Sequence, residues 1–275
     1  MKYIAKEIPE NVNVSKINPL KEFFILLGGL FGILLLIYFS LGYAFDRLIA
    51  KMPDQLEAFF SKTFEQTYAV REAPTAEEKR LQDILDQLQA VEQTGLRPCR
   101  VHVVKEPTVN AVAIPGGNIL VFSGLLKEVK SENELSMILA HELGHFAHHD
   151  HLRALGRGAI LAFCSVLLFG ADSSLTDFLM NALMTTDLKH SRRQEIDADA
   201  FALDLLNQRY GHVGGAADFF ERLEQKEKMP HFFAFFSTHP HHKDRLVLLR
   251  QRIKEKHYEL KETAGLNLAV AGSGQ

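Results

Sequence analysis

The stretch ILAHELGHFAHHDH, Ile138 to His151, places five histidines, a glutamate and an aspartate within fourteen residues. Leu135, Ile138, Leu139 and Leu143 recur at helical spacing, and Ser131 with Glu134 has the spacing of a capping box just upstream. On such a helix residues four apart share a face, so His141 and His145 aim two imidazoles at one point while Glu142 stands one position round. Two imidazole donors with a carboxylate beside them are the parts of a His-Glu-x-x-His zinc site, in which the glutamate acts as general base. His148, His149 and His151 fall elsewhere on the helix or a turn beyond it, and read as surface residues.

Catalytic zinc takes three protein ligands and keeps a fourth position open, so a third donor must lie elsewhere in the chain. In SRRQEIDADAFALDLL the candidate is Glu195. Asp199, four residues on, shares its helical face and is placed to receive a ligand histidine's other ring N–H, fixing the tautomer. Asp197 and Asp204 read as a solvated face.

The rest of the chain gives these residues a setting. Its 275 residues, 47% hydrophobic, are enough for a sizeable core, and a net charge of −3 offers no general attraction for nucleic acid. The two cysteines, Cys99 and Cys164, are too few for a disulfide framework and read as small packed hydrophobes. Residues 23–45, FFILLGGLFGILLLIYFSLGYAF, carry no charge and as a helix would reach roughly 35 Å, enough to cross a bilayer. That length exceeds the apolar region of a signal peptide, so the segment reads as an uncleaved anchor. Gly28 and Gly32 within it have the spacing that lets two such helices approach, which allows a homo-oligomer.

After a polar connector over residues 46–73, Pro74 and a Thr75/Glu78 capping box open a helix with Leu81, Leu85, Leu88 and Val91 on one face. CRVHVV, NAVAIP and NILVFS follow, with Gly116-Gly117 between the last two, and read as a small antiparallel sheet. Helices are expected from about residue 194 to 224 and from 243 to 258, then a frayed tail over 261–275. Residues 158–184 carry a fourteen-residue uncharged run, GAILAFCSVLLFGA, too short to span. They read either as a buried helix or helical pair, or as a hairpin dipping into the membrane. The expected organisation is thus a tail over 1–22, an anchor over 23–45, the connector, and one α+β domain over 74–260.

HELGH, EIDAD and the upstream NAVAIPGGNILVFSGLL together resemble the HtpX-type zinc metallopeptidases, metallopeptidase family forty-eight, over about residues 75 to 252. The resemblance implies a mostly helical, gluzincin-like catalytic domain that binds one zinc ion per chain through His141, His145 and Glu195, with Asp199 matching the aspartate of the second motif. It also implies that Asn110, Ala111, Gly116, Gly117, Asn118, Ile119 and Val121 belong to a strand edging the cleft, where a peptide substrate pairs. STHPHHKDRL resembles the family's C-terminal His-Pro segment, which brings His239 near the metal. HtpX itself has several membrane helices, whereas this chain has one clear span, so it is closer to singly anchored members.

The expected activity is a zinc-dependent endopeptidase acting on proteins or peptides in membrane or envelope quality control, with Glu142 moving protons. The oxyanion donor could be His239 or Arg245, while His239 could instead fill the open metal position or be structural. Two other classes compete: a proteolytically silent, chaperone-like module with structural zinc, and a histidine-rich metal buffer, which regular helical placement disfavours. The basic residues Lys2, Lys6, Lys16 and Lys21 before the anchor, against Arg47, Lys51 and Lys62 after it, lean toward an N-terminus in the cytoplasm. The expected location is single-pass in a bacterial inner membrane, with the catalytic domain periplasmic.

Overall fold

A computed structural model of the chain describes residues 18–48, 74–93, 95–170, 172–178, 190–225, 235, 238–239, 244–263 and 265–266. Most of the 46–73 connector, the N-terminal tail before residue 18, the end of the 158–184 segment and the tail from 267 lie outside the described residues. Helix α1 is Pro19–Leu48, α2 Ala76–Val91, α3 Ser123–Glu128, α4 Glu132–Ala147, α5 Asp150–Phe169, α6 Arg192–Tyr210, α7 Asp218–Gln225 and α8 Arg245–Glu255. Strands β1 (Arg100–Val104), β2 (Ala111–Ile114) and β3 (Asn118–Phe122) make one sheet in the order β1-β3-β2.

The sheet is mixed rather than wholly antiparallel. β2 and β3 pair antiparallel across a turn in which Gly116 and Gly117 both take positive φ, 89° and 75°, a conformation that favours glycine. β1 runs opposite to β2, so β3, inserted between them, lies parallel to β1 with Arg100 opposite Asn118. The two edges of this sheet differ. Along β1, side chains of α2 take up the outward N–H groups: Gln89 Oε1 accepts from Cys99, Gln82 Oε1 from Val101 and Glu78 Oε1 from Val103, each at 2.9 Å. This seals an edge that would otherwise invite pairing. β2 has no second strand beside it among the described residues, and its free edge faces α4.

α2 forms as its sequence predicts: the Thr75 hydroxyl accepts from Glu78 N, Glu78 returns the bond to Thr75 N, and Leu81, Ile84, Leu85 and Leu88 are buried. Those leucines join Ile119, Val121, Leu135, Leu139, Leu203 and Leu206 in one core between the sheet and α2, α4 and α6. The helical region expected over 194–224 is two helices, because Gly211 in the left-handed region ends α6 and a turn precedes α7.

The packing of α4 on α6 positions the site. A Cβ on Gly144 would stand 2.9 Å from Ala198 Cα, so the glycine of HELGH lets the two helix backbones approach closely. α4 ends where His149 takes a left-handed conformation, φ 55°, and the chain turns into α5 at Asp150.

Candidate metal centre

Four side chains from three segments converge in the core. His141 and His145 come from α4, Glu195 from the first turn of α6 and His239 from the segment before α8, and all are at most 2% exposed. His141 Nε2 lies 3.1 Å from His145 Nε2 and 3.3 Å from His239 Nδ1. Glu195 Oε2 is 3.5 Å from His141 Nε2, and Glu195 Oε1 is 3.5 Å from His145 Nε2 and 3.2 Å from His239 Nδ1. Donors held at about 2.0–2.1 Å around a tetrahedral ion are separated by roughly 3.3 Å. The chain's own distances fit that figure, and three imidazoles with one carboxylate are donors suited to such an ion. Glu195 Oε2, buried and 2.9 Å from Arg245 Nη1, accepts no well-aligned hydrogen bond and remains available to a cation.

Each α4 histidine is fixed from behind by a carboxylate. His141 Nδ1 lies 2.9 Å from Asp199 Oδ1. His145 Nδ1 lies 2.9 Å from Asp150 Oδ2, and Asp150 Oδ1 accepts from Gln194 Nε2 at 2.7 Å. Asp150 was not among the sequence candidates, because it lies beyond the end of α4. Only the left-handed turn at His149 carries it back beneath His145. His190 is a second residue the sequence reading missed. Its ring stacks on His145 with centroids 3.6 Å apart and planes within 10°, and its backbone N–H donates to Thr238 O. No spacing signal marks it.

The electrostatics describe a buried cluster that favours positive charge. Burial opposes a charge on His145, but hydrogen bonding to Asp150 and Glu195 and the Glu195 charge override it and push the imidazole up to about 10. His141 is also raised, against burial, by Glu195 and Asp199. Burial works against the Glu195 carboxylate, yet nearby His239, Arg245 and His141 hold it well below the ordinary range. His190 moves the other way, lowered by burial and by the His145 imidazole stacked on it.

Arg245, 4% exposed, donates from Nε to Asp199 Oδ2 at 2.7 Å and from Nη2 to Asp199 Oδ1 at 2.8 Å, and sits over the Phe220 ring. With Nη1 at Glu195, this guanidinium ties the two α6 carboxylates together. Glu142, 1% exposed, accepts from Ala113 N with Oε2 at 2.8 Å and holds Oε1 3.4 Å from His239 Nε2.

The strand residues named from the sequence divide. Ala111 reaches the site: its carbonyl lies 3.3 Å from His239 Nε2. Asn110 Oδ1 accepts from Thr238 Oγ1 at 3.3 Å and so ties the His239 segment to the strand. Ile119 and Val121 are fully buried on β3, which is the central strand with both flanks paired, so they are core residues and not an open edge. Gly116 and Gly117 form the hairpin turn, and Asn118, just after it, meets His102 Nε2 at 3.0 Å. His151 is 1% exposed and packs its ring edgewise on Phe146, correcting its reading as a surface residue.

Residues 75–253 match peptidase family M48. Over 162 residues the chain is 35% identical to the mitochondrial metalloendopeptidase OMA1 of Schizosaccharomyces pombe, covering 56% of this chain and 47% of OMA1. It is 31% identical over 164 residues to the metalloprotease LoiP of Escherichia coli and 32% identical over 164 residues to the metalloprotease YcaL of the same species. Each match covers 57% of this chain, with 64% of LoiP and 63% of YcaL. The chain thus spans less than two thirds of these relatives. The family match takes in α2, the sheet and every residue of the histidine–carboxylate cluster: the chain belongs to peptidase family M48.

Proposed function

We propose that the protein is a membrane-anchored, zinc-dependent endopeptidase that hydrolyses peptide bonds in protein substrates. One observation carries the reading: three buried donors, His141, His145 and Glu195, meet at tetrahedral spacing beside the Glu142 carboxylate, against the β2 edge that no other described strand pairs. Those three side chains would hold one zinc ion per chain, which when bound lowers the pKa of a water and polarises a carbonyl. The names of OMA1, LoiP and YcaL as metalloproteases support the same activity.

The chain's own groups set out the remaining chemistry. Glu142 has one oxygen anchored on the strand and the other facing the cluster, so it is oriented to accept a proton and return it to the leaving amine. The Ala111 carbonyl and Ala113 N–H, two residues apart, point away from β3 toward the site, and an extended substrate would pair there as an added strand. Both are engaged by His239 and Glu142. Arg245, held by Asp199 and Glu195, positions both carboxylates and is not free to stabilise an oxyanion.

His239 is read as the closing group. Its Nδ1 takes the fourth corner of the cluster, its Nε2 meets Ala111 O, and its segment is tied down by His190 N to Thr238 O at 3.1 Å. A substrate must displace this side chain both from the strand edge and from the cluster.

Helix α1, long and apolar enough to cross a membrane, would anchor the chain in a bilayer, with the catalytic domain on the periplasmic side of a bacterial inner membrane. Gly28 and Gly32 face open space, leaving room for a second copy. The substrates this arrangement suits are damaged or misassembled membrane and envelope proteins. The deciding experiment is casein degradation with metal analysis on the full chain, wild type beside Glu142→Gln. Stoichiometric zinc in both with proteolysis only in the wild type supports the reading. Equal activity in both overturns it.

A further inference from the structure

Outside α1, eight large hydrophobic side chains among the described residues are exposed, and six of them fall between residues 161 and 178: Leu161, Val166, Leu168, Phe169, Leu175 and Phe178. They belong to the second half of α5 and to helical residues 174–178, which fold back after Gly170. Polarity in this hairpin is reversed relative to a helix pair in water. Two of its hydroxyls face inward, Ser165 Oγ lying 2.9 Å from Thr176 Oγ1, both residues at most 4% exposed, and Thr176 Oγ1 donating to Gly170 O, while Ser174 at the turn is exposed. From Gly158 to Gly170 there is no charged residue, so this stretch of α5 has no face suited to water. Apolar groups outside with hydroxyls paired inside is the arrangement that hydrocarbon imposes.

The hairpin also lies beside the anchor. α5 packs against α1: Gly156 admits the Phe45 ring, where a Cβ would meet it at 2.1 Å, and Arg153 and Arg157 lie 3.9 and 3.8 Å from Asp46. These charges mark one level, at the end of the apolar run of α1. From it the half-buried positions Phe45, Gly42, Tyr38 and Leu34 lead back along one face of α1. Beyond the same level α5 becomes wholly uncharged.

We propose that residues 158–178 form a re-entrant hairpin whose exposed apolar side chains lie among the acyl chains of the leaflet nearest the catalytic domain. This rests on the reading that α1 crosses that bilayer. The uncharged part of α5 is roughly 20 Å long, against about 30 Å of hydrocarbon, so it enters without crossing, and residues 174–178 fold back beside it. Asp172 and Asp177, both exposed, limit its depth, since a carboxylate at the bilayer centre costs on the order of 3 kcal/mol. The hairpin therefore enters obliquely. A consequence for the enzyme is position: α5 starts at Asp150, in contact with the ligand His145, so the metal cluster is held close to the membrane surface and suits substrate segments emerging from it.

The chain contains no tryptophan, so a single introduced one reports its own surroundings. Full-length protein carrying Phe169→Trp or Phe178→Trp is reconstituted into vesicles of phosphatidylcholine and phosphatidylglycerol with brominated acyl chains. Phe31→Trp on α1 is the membrane control and Val247→Trp, exposed on α8, the aqueous control. We expect blue-shifted emission that loses most of its intensity for Phe169→Trp, Phe178→Trp and Phe31→Trp, and no quenching for Val247→Trp. Quenching of Phe31→Trp without that of Phe169→Trp and Phe178→Trp overturns the hairpin while leaving the anchor. An unquenched Phe31→Trp removes the anchor and the hairpin with it. Bound zinc in each variant shows that it is folded, and Leu168→Trp replaces either one that fails this check.

Discussion

Gly144 and Ala198 face each other where α4 crosses α6, and a Cβ on Gly144 would stand 2.9 Å from Ala198 Cα and 3.1 Å from Ala198 O. Glu195 and Asp199 flank Ala198, and His141 and His145 flank Gly144, so this contact sets the distance between the two histidines and the two α6 carboxylates. Gly144→Ala forces the backbones apart. It should cost about 1–3 kcal/mol of stability from overpacking and lower zinc affinity by about tenfold or more. Thermal denaturation and zinc retention during dialysis against a weak chelator measure the two effects. An unchanged retention would mean that helix spacing does not govern the site.

Glu142→Gln keeps the acceptor oxygen for Ala113 N–H but cannot take a proton. Proteolysis should fall by about 10²–10⁴-fold while zinc stays near one per chain. Loss of zinc in this variant would place Glu142 among the ligands and displace its role as base.

His239→Ala tests whether that imidazole closes the site. Three donors remain, so zinc should persist, and the Ala111 carbonyl is released. The expected result is faster cleavage of an unstructured protein such as casein, seen in kcat/KM. A decrease of about 10² or more in kcat would instead assign His239 to oxyanion stabilisation.

The histidine pair, Glu142, Glu195 and Asp199 were legible because each lies within one helix, where spacing fixes direction. Asp150 and His190 were not, because their positions depend on a left-handed turn at His149 and on where residue 190 meets residue 238. The sheet was read as three strands, but which one is central follows from a non-local choice: β3 inserts between β1 and β2. Local alternation cannot report that order, so Ile119 and Val121 looked like an edge when Ala111 and Ala113 form it. For residues 158–184 composition leaves two readings open, because the contact that joins Ser165 to Thr176 is tertiary and local composition cannot report it.

Glu78 links helix α2 to the sheet, with Oε2 accepting from Thr75 N at 2.6 Å and Oε1 from Val103 N at 2.9 Å. Burial raises its carboxyl, but these backbone bonds outweigh that and hold it below the ordinary value of 4.5. The folded form thus prefers the carboxylate. Its stabilisation is complete above the unfolded value and is lost as pH falls through the lower folded one. Glu78→Gln should cost about 1–2 kcal/mol at pH 7, because one amide oxygen replaces two charged acceptors. The gap in melting temperature between wild type and variant should close below pH 4.5. A gap of constant size down to pH 3 would show that the charge of Glu78 is not what stabilises the link.

The anchor orientation is decided by what is easiest to retain in the cytoplasm. Four lysines, Lys2, Lys6, Lys16 and Lys21, precede the apolar run, while Arg47, Lys51 and Lys62 follow it, and basic residues resist transfer. An uncleaved anchor that keeps its lysine-bearing N-terminus inside delivers residue 46 onward to the far side. A re-entrant hairpin over 158–178 returns to the face it left, so Glu195 stays on the same side as His141 whatever the depth of that segment. The catalytic domain should therefore be periplasmic when the chain is expressed in a bacterium. A single cysteine introduced by Ser273→Cys, with Cys99 and Cys164 replaced by alanine, reads this directly. Labelling by a membrane-impermeant maleimide in intact spheroplasts is the expected result, and labelling only after lysis would reverse the orientation.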